Sequence, residues 1–147
     1  MTNKIPTERC RPAKPVKTPS SRDAARQVEE QKLSWRFRVM DMDGPFGWNS
    51  PIDGADPLLY VPPKLKEFET MTWQEIVGSR HHKIPVDLLS SDAKRRLSDL
   101  KLDDIDEVFS LALMGRQRVV GIRDQNVFRV LWWDPDHQVC PSHKKYT

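Results

Sequence analysis

"RVVGIRDQNVFRVLWWDPDH", Arg118 to His137, decides the fold. Two apolar runs flank Asp124-Gln125-Asn126, and Asn126 suits the left-handed backbone of a short hairpin loop. In the second run, strict alternation puts Phe128, Val130 and Trp132 on one face, and Val127, Arg129, Leu131 and Trp133 on the other. The first face is wholly apolar and should meet helices. The second is mixed, with Arg129 beside Leu131 and Trp133, and the facing strand offers Arg118 or Arg123. The run then enters Asp134-Pro135-Asp136. Asp accepts local backbone donors and Pro presets φ, so this is a turn.

Upstream, "EVFSLALM" from Glu107 reads as another strand, which makes an antiparallel meander of three. Before it come two helical stretches. In "PPKLKEFETMTWQEIVGS", Leu65, Phe68, Trp73, Ile76 and Val77 recur at three- and four-residue spacing, Thr72-x-x-Glu75 matches a capping box, and Gly78 offers a stop. In "VDLLSSDAKRRLSDL", Ser90 or Ser91 can cap, and Ala93, Leu97 and Leu100 share a face. Lys94, Arg95 and Arg96 make the rest of that helix strongly basic. "SWRFRV" alternates Trp35, Phe37 and Val39 with arginines, as a strand with one buried side does. The loop Gly44–Pro57 carries Phe46 and Trp48, aromatics that argue for packing.

Composition bounds the rest. The 147 residues suit one domain with a tail. Residues 1–34 hold eight Lys/Arg against four Asp/Glu, four prolines and no aromatic residue. Such a segment has too little apolar surface to offset its ordering entropy. Residues 1–33 therefore read as a flexible basic arm, with a weakly packing helix over Arg22–Lys32, and 34–147 as the folded domain. Since the whole chain is +3, residues 35–147 carry −1. Two cysteines, Cys10 and Cys140, give no disulfide framework. With neither an apolar run of membrane-spanning length nor a signal-peptide core, the expected location is cytoplasmic and no membrane partner is expected.

The chemistry-bearing residues suggest RNA. A surface of guanidinium groups and aromatic rings suits phosphates and exposed bases, so Arg129 and Trp133, with Lys144 and Lys145 in the tail, are the expected RNA contacts. Metal-free ribonucleolytic cleavage needs a base for the 2′-hydroxyl, an acid for the departing 5′-oxygen and cations for the charge on phosphorus. His137 with His81 or His82 fits the first two roles, and Arg118 and Arg123 the third. His137, Cys140 and His143 are spaced three apart, but there is no CxxC knuckle and an extended chain separates such residues by roughly 10 Å. "MDMDGPFGW" lacks the downstream ligands of a calcium loop. No metal or cofactor is assigned, and no glycine-rich nucleotide loop is present.

The block Gly115–Ser142, "GRQRVVGIRDQNVFRVLWWDPDHQVCPS", resembles the ending of a group of small prokaryotic proteins that close on W-x-D-P-x-H, here Trp132, Asp134, Pro135 and His137 with Trp133 between. The order strand-helix-helix-strand-strand-strand is in turn similar to that of the RelE/ParE toxin superfamily. That resemblance implies an α+β fold with an antiparallel sheet of about four strands and the helices on one face. It also implies a toxin of a toxin–antitoxin pair, bound by a small antitoxin protein and acting as an endoribonuclease (mRNA interferase) on RNA at the ribosome. The arm and the Gly44–Pro57 loop depart from that pattern. The alternative is a non-catalytic nucleic-acid- or protein-binding module of the same fold.

Overall fold

A computed structural model of the protein describes residues 21–49, 51 and 54–141. The order is α1 (Ser21–Glu29), β1 (Ser34–Arg36), α2 (Pro57–Leu65), α3 (Trp73–Ile76), β2 (His82–Pro85), α4 (Ser91–Asp99), β3 (Glu107–Ala112), β4 (Arg118–Asp124) and β5 (Val127–Asp134), with 3-10 turns at Lys66–Thr70 and Val86–Leu88. The fold is α+β. Its sheet has five strands in the order β1-β5-β4-β3-β2.

This corrects the expected four-stranded antiparallel sheet in two ways. β1 runs parallel to β5, pairing Ser34–Arg36 with Val127–Arg129, so the sheet is mixed. And "HKIP", which falls between the two helical stretches, is a strand: β2 pairs antiparallel with β3, His82 opposite Ser110 and Pro85 opposite Glu107. A short strand containing proline is tolerated here because β2 is at the edge. β1 also stops at Arg36, where alternation had suggested a longer strand, and Phe37 is left 54% exposed.

The helices do not share a face, which is a second correction. α2, the 3-10 turn and α3 cover one side of the sheet with Val61, Leu65, Phe68, Trp73 and Ile76, against Phe109, Leu111, Val119, Phe128, Val130 and Trp133. α4 covers the other with Ala93 and Leu97, against Val108, Val120, Leu131 and Trp132. The sheet is thus the middle of three layers. Local chemistry set the helix starts. The side chains of Asp56, Thr72 and Ser90 cap α2, α3 and α4, accepting from Leu58 N, Glu75 N and Ala93 N. Thr72 Oγ1 also donates to Glu75 Oε1 at 3.1 Å, a side-chain bond where a full capping box would have the Thr72 amide donate to Glu75. Pro57 at the start of α2 has no N–H to leave unpaired.

One irregularity in β5 reorganises its faces. Val120 pairs with Trp132 but Gly121 pairs with Val130, so Leu131 is an extra residue and the strand carries a bulge. After the bulge the alternation inverts. Trp132 sits with α4 and Trp133 with α2, the reverse of their expected faces. Gly121 stands opposite the bulge because a Cβ there would collide with the Arg129 carbonyl and the Phe128 ring. The hairpin turn also uses Gln125 rather than Asn126 at positive φ, 56°.

β1 covers only the first part of β5, and the connection from Asp41 to Trp48 covers the remainder. Asp41 N donates to Leu131 O (2.9 Å), Trp133 N to Phe46 O (3.0 Å), and the Trp48 indole to Leu131 O (3.2 Å). The edge that would otherwise present bare amides and carbonyls is closed by backbone from a loop. As the aromatics suggested, Phe46 and Trp48 pack.

Candidate functional site

The turn after β5 explains why a core strand runs into Asp-Pro-Asp-His. Asp134 is 2% exposed, and its carboxylate accepts the amides of Gln138 (2.8 Å) and Val139 (2.9 Å). Burial pushes its pKa up, and those two amides oppose the rise. His137 occupies the left-handed region at φ 59°, and its Nδ1 is buried without a hydrogen-bond partner. The carboxylate thus organises the bend, and the chain after it returns to the start of α4, where Val139 O accepts from Ser90 N.

The expected catalytic residues do not form one centre. His81 lies level with Trp133 but three strands away, about 14 Å at about 4.8 Å per strand. His137 follows Trp133 by four residues, beyond the turn that ends β5. An acid and a base for one phosphodiester must both lie within hydrogen-bond reach of it. Arg118 is close enough to act on the charge of His81 and to feel that of Asp134. Its guanidinium donates to the Gly115 and Gln117 carbonyls at 2.7 and 2.9 Å. Arg123 is at the far end of β4, about 17 Å along the strand. There it pairs with Glu29 of α1 and stacks over Trp73, its guanidinium carbon 4.0 Å from the ring centroid.

Arg80 and His81 have an architectural task. β2 ends before β3 does, and these two side chains replace the missing strand partner. Arg80 Nη2 donates to Leu113 O at 2.8 Å, and Ala112 N donates to His81 Nδ1 at 3.0 Å. An Nδ1 that accepts is unprotonated, so Nε2 carries the proton and the ring is held neutral. Burial lowers the His81 pKa, and the charges of Arg80, Arg118 and His82 lower it further. His82 lies on β2, its Nδ1 3.1 Å from Lys83 O.

Trp133 is corrected as an RNA-stacking residue. It is 1% exposed, stacked on Trp48 (5.8 Å between centroids) with Tyr60 edge-on at 6.0 Å. The bulge turned it inward. Lys144 and Lys145, with His143, Cys10 and the arm up to residue 20, lie outside the described residues. Among the described residues no three His, Cys, Asp or Glu side chains gather as a metal site.

Arg129 remains, in company the sequence did not suggest. It pairs in register with Arg36 on β1 and with Ile122 on β4. Arg36, Arg38 and Arg129 line a cleft of about 370 Å³ with Asp124, Gln125 and Asn126. Phe37 lies between two of these arginines in the chain and is open to solvent. Helix length leaves this corner uncovered. The nine residues of α4 span about 13 Å, while the eight of β5 span about 26 Å. Among the described residues none of the three arginines is in an ion pair.

The basic helix α4 spends one arginine differently. Arg96 turns inward and meets Asp41 in a two-pronged pair, Nε to Oδ2 at 2.9 Å and Nη2 to Oδ1 at 2.8 Å. Trp132 Nε1 donates to the same Oδ2 at 2.9 Å, and the amides of Asp43 and Gly44 donate to Oδ1. Burial alone would raise the Asp41 pKa, but the bonds from Arg96 and Trp132, with the Arg96 charge, hold it below its ordinary value. The "MDMD" aspartate thus takes an arginine. The periodicity of α4 gave no sign of that partner.

No protein-family model, curated protein or solved structure matches the chain. No helix of the described residues is long and apolar enough to cross a membrane.

Proposed function

We propose that the protein is a binding module for single-stranded RNA, with the cleft of Arg36, Arg38 and Arg129 as its contact surface. The observation that carries this reading is three guanidinium groups, none ion-paired among the described residues, gathered in one cleft at a sheet corner. Guanidiniums suit phosphate oxygens, and the exposed ring of Phe37, between Arg36 and Arg38 in the chain, is open to an unstacked base. Asp124 in the same cleft disfavours continuous anion packing and offers an acceptor for a base amine. The basic residues of positions 1–34 add charge at the N-terminal side of β1. RNA is favoured over duplex DNA because the arginines line a short cleft rather than the exposed face of one helix that could lie in a major groove.

The test is fluorescence anisotropy of a labelled unstructured RNA across a salt series. The wild-type affinity should fall linearly on a log–log scale, and each of Arg36→Gln, Arg38→Gln and Arg129→Gln should reduce the slope by about one. An unchanged slope in all three variants sinks the cleft as the contact surface.

A toxin-type reading of the same RNA-directed module, with a RelE-like fold and a small antitoxin partner, is supported by the closing W-x-D-P-x-H block and by part of the element order. Incubating that RNA with the protein tests its endoribonuclease form. Cleavage that disappears in His137→Ala with folding intact favours the toxin enzyme, and intact RNA under conditions of saturated binding favours the binding module.

A further inference from the structure

A cavity of about 490 Å³ lies at the opposite corner of the sheet, on the α2 side. That is within the range of small-ligand pockets. Its walls divide by chemistry. Phe68, Met71, Leu113 and Met114 supply an apolar floor and side, and Lys64, Arg80 and His81 supply donors, opposed among the described residues by one carboxylate, that of Glu67. The donors are held in place. Arg80 is tied to Leu113 O, and Lys64 Nζ sits 5.6 Å from the Tyr60 ring centroid. His81 is anchored through Nδ1 and braced edge-on by Phe68 at 5.1 Å, which leaves Nε2–H as its donor. Met114, 70% exposed, stands as an unbranched, polarizable side chain beside the opening.

We propose that this cavity binds a mononucleotide, with its planar base on the Phe68–Met71–Leu113 surface and its phosphate on Lys64 and Arg80. Two cations against one carboxylate favour an anion. The apolar side, with its thioethers, favours an aromatic ring. Glu67 can accept from a base amine, and the His81 Nε2–H can donate to a ring nitrogen or carbonyl. The site is separate from the arginine cleft. The two lie at opposite ends of β4 and toward opposite sheet edges, so each can fail without the other.

The experiment uses full-length protein with labelled methionine methyl groups, titrated with each of the four nucleoside monophosphates and, separately, with inorganic phosphate and with adenosine. At least one nucleotide should shift the Met71 and Met114 resonances saturably. Phosphate and adenosine alone should bind about tenfold more weakly or worse, and Lys64→Glu should weaken the nucleotide by about tenfold at unchanged thermal stability. Arg36→Gln should leave this binding unchanged. Competition by an oligonucleotide with a terminal phosphate would identify the occupant as a strand end, and its failure to compete would identify a free nucleotide. No saturable shift up to about 10 mM, equal binding of inorganic phosphate, or full affinity in Lys64→Glu would each overturn the assignment.

Discussion

Arg96 and the trio Arg36, Arg38 and Arg129 lie on the same side of the sheet and are put to opposite uses. Arg96 reaches a carboxylate that is 3% exposed and also held by an indole and two amides, so its charge ties α4 to the Asp41–Trp48 loop. The trio faces a corner that α4 is too short to cover, and Asp124 is the only carboxylate among the described residues that line its cleft. A guanidinium becomes architecture where the chain delivers a buried carboxylate to it. Where the chain does not, the charge stays available to a phosphate.

The sharpest way to break that contrast is Asp41→Ala. It strands the Arg96 charge, removes the acceptor of Trp132 Nε1 and frees the loop that caps β5, so chemical denaturation should show a loss of about 4 kcal/mol. A loss no larger than that of a surface substitution would mean that the pair is not structural. Gly121→Ala comes next, at about 3 kcal/mol, because a Cβ there meets backbone that cannot move without undoing the bulge. Trp132→Phe keeps an aromatic six-membered ring but deletes the donor to Asp41 and leaves a small void where the pyrrole ring was, and should cost about 2 kcal/mol in the same assay. For the trio, each Arg→Gln should change stability by less than about 0.5 kcal/mol, while lowering RNA affinity.

A pH series adds a separate check on Arg80 and His81 as substitute strand partners. The His81 pKa is lowered on folding, so the unfolded chain binds the proton more readily. Its contribution to stability is complete above the ordinary value of 6.5 and declines as pH falls from there through the folded value. His81→Asn retains an acceptor for Ala112 N but cannot titrate, and it should flatten that limb of the stability profile. An unchanged limb would assign it to other groups.

Much of the architecture was readable because it rests on local chemistry. The Thr72 cap, the Ser90 cap, the β4–β5 hairpin and the packing of Phe46 and Trp48 all announce themselves within a few residues. The rest depended on partners far away in the chain. Leu131 looks like any strand residue, and only the mismatch with Gly121 across the hairpin makes it a bulge. That single residue exchanged the faces of Trp132 and Trp133, and with them the expected RNA-stacking surface. "RHHKIP" carried too little apolar alternation to read as a strand, and its two leading residues proved to be side-chain substitutes for a ladder. The arginine cleft was half legible. Arg129 was visible on its strand, whereas Arg36 and Arg38 joined it only through a parallel pairing that no local pattern encodes.

The account rests on where RNA touches the protein. Ultraviolet crosslinking of a uridine-rich single strand, followed by peptide mapping, reads that directly, since an aromatic side chain stacked on a base is well placed to form the adduct. The expected adduct is on Phe37, within the peptide carrying Arg36 and Arg38, and it should weaken when Arg129 is replaced by Gln. Crosslinks confined to peptides outside residues 34–40 and 124–129 would contradict the cleft as the site of recognition.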